Sequence, residues 1–198
     1  MFDRHYAVWP ARTPKNLPLP QTSIYTNLAI TALRYPEKTA IDYYGTPINY
    51  RELNAQVERL AGYLQQQGVE RGDRVLLYMQ NSPQFVIGYY AILRADAMVV
   101  PINPMNRAAE LRYYVEDTGA KIALCGQELY PNMAPLLDEP GLERVVVAAY
   151  SDYVTEPTDL TLPAEVSMAR QPIEHASVTL WTEALSVGAA PRPHRAGP

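Results

Sequence analysis

Two short stretches carry the residue types that could hold a ligand: Asn81-Ser82-Pro83 and Pro101-Ile102-Asn103-Pro104. Serine followed by proline marks a helix start, with Ser82 as the cap and Pro83 in the first turn. The free amides of such a start attract anions, although capping by itself accounts for Ser82. Asn103, flanked by prolines, makes a rigid turn whose plain role is to redirect the chain. Both stretches follow segments that read as strands, and ligands of open α/β sheets gather outside the carboxyl ends of strands.

Other chemistry is sparse. No two glycines are separated by a single residue and there is no Walker-type loop, so neither common phosphate cradle is present. His5, His175 and His194 lie far apart, without the short spacing that puts two imidazoles on one metal, and read as structural or exposed. Cys125 closes an apolar run and reads as a small hydrophobe, not a nucleophile. Glu116 and Asp117 are adjacent, and adjacent helical residues do not face each other, so they form no acid/base pair. Gly72-Asp73 reads as a turn in which Asp73 bonds nearby amides. Fifteen tyrosines against two phenylalanines suggest rings whose hydroxyls reach a wet edge; Tyr89, Tyr90, Tyr113 and Tyr114 read as core or interface. No residue is assigned a catalytic or metal-ligating role.

The elements that would position these turns follow from periodicity. Prolines 10, 14, 18 and 20 predict an extended arm over 1–22. A helix is expected over 23–34, then a hairpin over 39–50 with Gly45-Thr46-Pro47 as its turn. Asn49 and Glu52 form a capping-box pattern ahead of Leu53, Val57, Leu60, Ala61 and Leu64, and Gly68 supplies a left-handed stop. Apolar runs at 74–79, 98–102, 121–125 and 144–148 alternate with helical patterns at 83–95, 107–117 and a proline-interrupted 128–137. Runs of this kind indicate parallel strands buried on both faces. The class is α/β, a mostly parallel sheet flanked by helices over 23–150. The segment 151–198 reads as irregular, with one short helix over 178–185.

Composition sets limits on function. With 47% hydrophobic and 19% charged residues the chain supports a folded core, and its net charge of −4 with scattered basic residues offers no footprint for nucleic acid. The longest apolar stretch, 85–93, falls short of the ~18 residues a membrane span needs, and the start lacks a secretory h-region. A single cysteine excludes an internal disulfide, and a cytoplasmic location is expected.

Taken in order, several segments resemble the start of acyl-CoA synthetases of the adenylate-forming (AMP-binding) superfamily. They are Pro36-Glu37-Lys38-Thr39-Ala40, Ile48-Asn49-Tyr50-Arg51-Glu52-Leu53, Gly68-Val69-Glu70-Arg71-Gly72-Asp73-Arg74-Val75 and Asn81-Ser82-Pro83-Gln84-Phe85. The resemblance continues through Val99-Val100-Pro101-Ile102-Asn103-Pro104, Glu110-Leu111 and Asp117-Thr118-Gly119-Ala120-Lys121. It implies activation of a carboxylic acid with ATP and Mg2+ to an acyl-adenylate, then transfer to coenzyme A. The proline-flanked Asn103 is most similar to the fatty-acyl and coumaroyl branches, which implies a medium- or long-chain fatty acid as substrate.

The family's Ser/Thr/Gly-rich phosphate loop would follow a Gly-Pro such as Gly197-Pro198, and its later Tyr-Gly-x-Thr-Glu element, ribose-binding aspartate, hinge and C-terminal lysine have no counterpart here. The resemblance therefore implies the N-terminal portion of a longer ligase, silent by itself, without bound cofactor and with the remainder of its own chain as partner. Surface that would pack on that remainder predicts dimerisation or aggregation. The alternative from the residues alone is a non-catalytic α/β interaction module.

Overall fold

The computed structural model describes residues 4–16, 21–187 and 189–195. Parts of the expected arm, including Pro18 and Pro20, and the Gly197-Pro198 pair lie outside the described residues. Within the arm, Arg4–Val8 forms a 3-10 turn, not an extended run, with His5 and Tyr6 packed around Trp9.

Helix α1 (Ile24–Arg34) starts at Ser23, whose hydroxyl accepts from the Thr26 amide, so Ser23 is the cap and not the first turn. Strands β1 (Thr39–Tyr43) and β2 (Thr46–Asn49) form the expected antiparallel hairpin. Its turn lies one residue earlier than expected. Tyr44 and Gly45 take positive φ, 51° and 85°, while Thr46 and Pro47 already belong to the strand. Helix α2 (Tyr50–Gln66) begins with the complete capping box: Asn49 accepts from the Glu52 amide at 2.9 Å and Glu52 accepts from the Asn49 amide at 3.1 Å. Gly68 adopts φ 91°, the left-handed stop.

Five parallel strands follow: β3 (Arg74–Tyr78), β4 (Met98–Pro101), β5 (Ile122–Gly126), β6 (Arg144–Ala148) and β7 (Val178–Leu180). Their order is β4-β3-β5-β6-β7. Between them lie α3 (Pro83–Arg94), α4 (Ala108–Thr118), the short α5 (Tyr130–Met133) with a 3-10 turn to Asp138, α6 (Ala164–Ser167) and, after β7, α7 (Trp181–Val187). The expected helix over 178–185 is thus a strand followed by a helix. Val145, Val146 and Val147 pair with Val178, Thr179 and Leu180, so the segment after Tyr150 supplies the fifth strand.

The apolar runs are explained by two-sided burial. Val75, Leu77, Leu124 and Val146 face a layer of α1, α2, α3 and α7, whereas Leu76, Tyr78, Ala123, Cys125, Val145 and Val147 face α4 and α5. Strand residues alternate between two apolar layers, so no polar period survives in the sequence. Gly88 of α3 permits close packing on the sheet: a Cβ there would stand 2.9 Å from the Leu124 methyl. Among the described residues, no helix is long and apolar enough to cross a membrane.

Candidate functional site at the carboxyl edge of the sheet

The first strand of the parallel sheet, β3, has β4 on one side and β5 on the other. The chain reverses its direction of travel between β3 and β5, and open α/β sheets form their binding crevice at that reversal, outside the carboxyl ends. Both turns singled out in the sequence lie on this edge. Gln80, Asn81 and Ser82 follow β3, and the turn from Pro101 to Pro104 follows β4.

Ser82 is the cap of α3: its hydroxyl accepts from the Phe85 amide at 3.1 Å and Pro83 occupies the first turn. Asn103 closes its own turn, its side-chain oxygen accepting from the Met105 amide at 2.9 Å. The exposed Asn81 stands beside the cap. Tyr78, the last residue of β3, ties that strand to the chain that follows β4 and to α5, since its hydroxyl donates to the Asn106 carbonyl at 2.5 Å and accepts from the Asn132 side chain at 3.3 Å.

The edge also contains residues that the sequence did not flag. The Tyr150 hydroxyl accepts from the Gln80 amide at 2.8 Å and donates to Glu128 at 2.9 Å, so one side chain from the end of β6 links the turns after β3 and β5. Gly126 makes room for this link; a Cβ there would run into the Tyr150 ring and the Glu128 carboxylate. Gln84, fully buried in α3, donates to the Ala149 carbonyl at 2.7 Å. Gln84 Oε1 and Glu128 Oε2 are buried without a partner. The available signal was positional: Glu128 and Tyr150 each stand two residues past the end of a buried strand.

Burial pushes the Glu128 carboxyl up, against the lowering effect of its backbone amide and the Tyr150 hydroxyl, with Glu165 adding a further upward push. Burial likewise raises the Tyr150 hydroxyl, and the neighbouring Glu128 charge adds to it. A carboxyl raised in the fold favours folding while protonated. That contribution is complete below the ordinary carboxylate range and is lost as pH rises through the folded value. Glu128→Gln is therefore expected to melt at or above the parent at neutral pH and together with it at acid pH. Thermal melts across that range check this; a neutral-pH variant that melts well below the parent would show that the ionised carboxylate stabilises the fold.

The remaining sequence candidates lie elsewhere. His5 stacks in the arm, the ring of His175 accepts from the Ser177 amide, and His194 contacts Ser23 near the start of α1. Cys125 is buried, and desolvation pushes its thiol well up, as an inert core cysteine requires. Asp73 bonds the Glu70 amide at 2.9 Å, the turn role read from Gly72-Asp73. Tyr113 is exposed, whereas Tyr89, Tyr90 and Tyr114 are half-buried.

The three carboxyl-edge turns, 80–82, 101–104 and 126–128, offer amides, a hydroxyl and one carboxyl but no lysine or arginine. Among the described residues no group of three or more His, Cys, Asp or Glu could hold a metal ion. The arrangement can orient a polar ligand by hydrogen bonds. It does not fit a triphosphate, which needs matched cations and convergent amides, and a single carboxyl is a poor oxygen set for Mg2+.

The sequence profile of the AMP-binding enzyme family matches residues 28–186. A long-chain-fatty-acid–CoA ligase of Bacillus subtilis is 31% identical over 157 residues, which cover 79% of this chain and 28% of that protein. The corresponding ligase of Yersinia pestis is 34% identical, covering 75% of this chain and 27% of its own length. This chain thus spans little more than a quarter of those relatives. Among solved structures, an anthranilate CoA ligase in complex with anthranoyl-AMP superposes with a TM-score of 0.73 at 18% identity, covering 90% of this chain and 31% of that one. A long-chain-fatty-acid–CoA ligase from Archaeoglobus fulgidus superposes at 0.67 with 24% identity, covering 91% of this chain and 33% of that one. At such identities the superpositions bear on the fold.

Proposed function

The chain belongs to the AMP-binding enzyme family, and from that premise we propose that it is the N-terminal α/β part of an ATP-dependent acyl-CoA ligase acting on a medium- or long-chain fatty acid. The carrying observation is the continuous match over 28–186 together with ligase relatives that extend far beyond it. Fatty-acid preference is supported by the fatty-acid ligases among those relatives and by the proline-flanked Asn103.

In this reading ATP supplies the adenylate that activates the acid, and coenzyme A accepts the acyl group. The residues present here do not assemble the phosphate site, so no step is derived through it. Their part is to form one wall. Tyr78 and Tyr150 link the chain that follows β3, β4 and β5 by hydrogen bonds, and Asn81 is exposed beside them; in this reading a nucleotide-bearing segment closes against that edge.

The test is acid-dependent exchange of pyrophosphate into ATP, measured for the 198-residue chain and for a longer protein that begins with it, across fatty acids from short to long. The chain by itself is expected to give none, and the longer protein to exchange best with medium or long acids. Exchange by the chain alone would sink the silent-part reading; exchange confined to aromatic or amino acids would sink the fatty-acid assignment.

A further inference from the structure

Residues 189–195, past the end of α7, run across the α2 and α3 layer at the amino edge of the sheet, opposite the carboxyl-edge turns. They are held at many points. A methyl group at Gly62 of α2 would have Ala189 and Pro191 backbone atoms as its three nearest neighbours, so the bare glycine is the seat of the segment's start. The Arg192 amide donates to Gln65 at 2.7 Å, and its guanidinium reaches Glu70 and the Val69 carbonyl, both at 3.0 Å. The Arg192 carbonyl accepts from Arg94 at 2.7 Å. Arg94 is itself buried, ion-paired to Glu58 at 2.7 Å.

The far end is fixed beside β4. His194 Nε2 lies 2.7 Å from the Ser23 hydroxyl, and its ring packs edge-on to Tyr25 at 5.1 Å. Its Nδ1 stands 2.6 Å from Asp96, off line for a hydrogen bond, so that contact is one of proximity. Both Asp96 oxygens accept from the Arg195 amide at 3.2 Å. Asp96 does this from a left-handed backbone, φ 63°, two residues before β4. A non-glycine residue held there is strained, and strain of this kind persists where surrounding contacts impose it.

Topology gives the strap a direction. The β3–α3–β4 crossover moves towards β4 with its helix on one face, and β4–α4–β5 moves the other way with its helix on the opposite face, so both have the same hand. Crossovers between parallel strands keep one hand almost without exception. Helix α7 lies on the face of α3, so the same hand carries the chain from β7 towards β4. The strap covers that path.

We infer that residues 189–195 are a positioning strap, which crosses the amino edge to hold the polypeptide at Arg195 beside the open side of β4, so that a strand following it runs parallel to β4 and ends on the carboxyl edge beside Pro101 to Pro104. The consequence for catalysis rests on the ligase reading above; the docking itself does not.

Two variants release the strap without weakening what it sits on. Gly62→Ala blocks its seat while placing a better helix former in α2, and Asp96→Gly removes the contacts at its far end while easing the left-handed backbone. In the 198-residue chain, the Arg192 and Arg195 amides are expected to exchange hydrogen at least about tenfold more slowly than free peptide, and at the free rate in either variant, with unchanged melting. Free-rate exchange in the parent, or full protection retained in both variants, overturns the strap. In a longer protein active in pyrophosphate exchange, released variants are expected to lose about tenfold in kcat, equivalent to about 1.4 kcal/mol in barrier, with the KM for fatty acid kept. Unchanged kcat there overturns the positioning role and leaves the ligase reading intact. A parent without exchange on any acid overturns the ligase reading, and the hydrogen-exchange result still decides the strap.

Discussion

Replacing Trp181 by alanine is expected to cost the fold about 3–5 kcal/mol, the range for emptying a large aromatic from a packed core. Trp181 is 1% exposed and begins α7 directly after β7, where it packs among the α2 and α3 side chains and its indole N–H donates to the Tyr153 hydroxyl at 3.1 Å. The loss has two parts: the transfer of the indole out of the core, and a cavity that neighbouring helices fill only in part. Native domains are stable by only about 5–15 kcal/mol, so the variant should sit near its unfolding threshold at room temperature. Urea unfolding followed by far-ultraviolet circular dichroism reads this as a lower midpoint with unchanged slope. A loss under about 1 kcal/mol, the scale of a surface change, would mean that α7 is not part of the core layer.

Tyr150→Phe is expected to cost about 1–3 kcal/mol, the penalty for leaving a buried polar group without its partner. The ring stays, so no cavity opens. What disappears is the hydroxyl that accepts from the Gln80 amide and donates to Glu128, leaving the turn after β3 with an unpaired amide and the carboxyl more isolated. Because Glu128 and Tyr150 share one hydrogen bond, Tyr150→Phe and Glu128→Gln should not add; a double-mutant cycle is expected to show coupling of about 0.5 kcal/mol or more. Exchange of the Gln80 amide that is no slower in the parent than in Tyr150→Phe would contradict the assigned hydrogen bond. In a longer active protein the same variant should loosen the wall that carries Asn81 and reduce pyrophosphate exchange.

Much of the scaffold was legible because its causes are local or two-faced. The Asn49 and Glu52 capping box and the Gly68 stop depend on groups within a turn of each other, and the sequence places them at the observed positions. The runs that form β3, β5 and β6 announce burial on both faces, which for strands requires a parallel sheet covered by helices. The two turns on the carboxyl edge were found because strand-to-helix junctions are visible in periodicity alone.

Other features had no local cause to read. Val178, Thr179 and Leu180 are too few to show a period, and they are a strand only because Val145 to Val147 offer them a ladder. The turn of the β1–β2 hairpin shifted because Tyr44 accepts a left-handed backbone that sequence rules reserve for glycine and a few polar residues. His194 reads only as a structural or exposed histidine, and nothing local shows that it meets Ser23 and Asp96, residues remote from it in sequence.

By itself, then, the sequence determined the α/β class, the parallel strands, the principal caps and the resemblance that the family match later bore out. Each follows from residues near one another or from ordered motifs. Only the tertiary structure decided the fifth strand, the Tyr150 bridge between Gln80 and Glu128 at the carboxyl edge, and the strap at the amino edge. These depend on contacts between distant residues, whose geometry is fixed by the order of strands in the sheet and leaves no mark on any single stretch of chain.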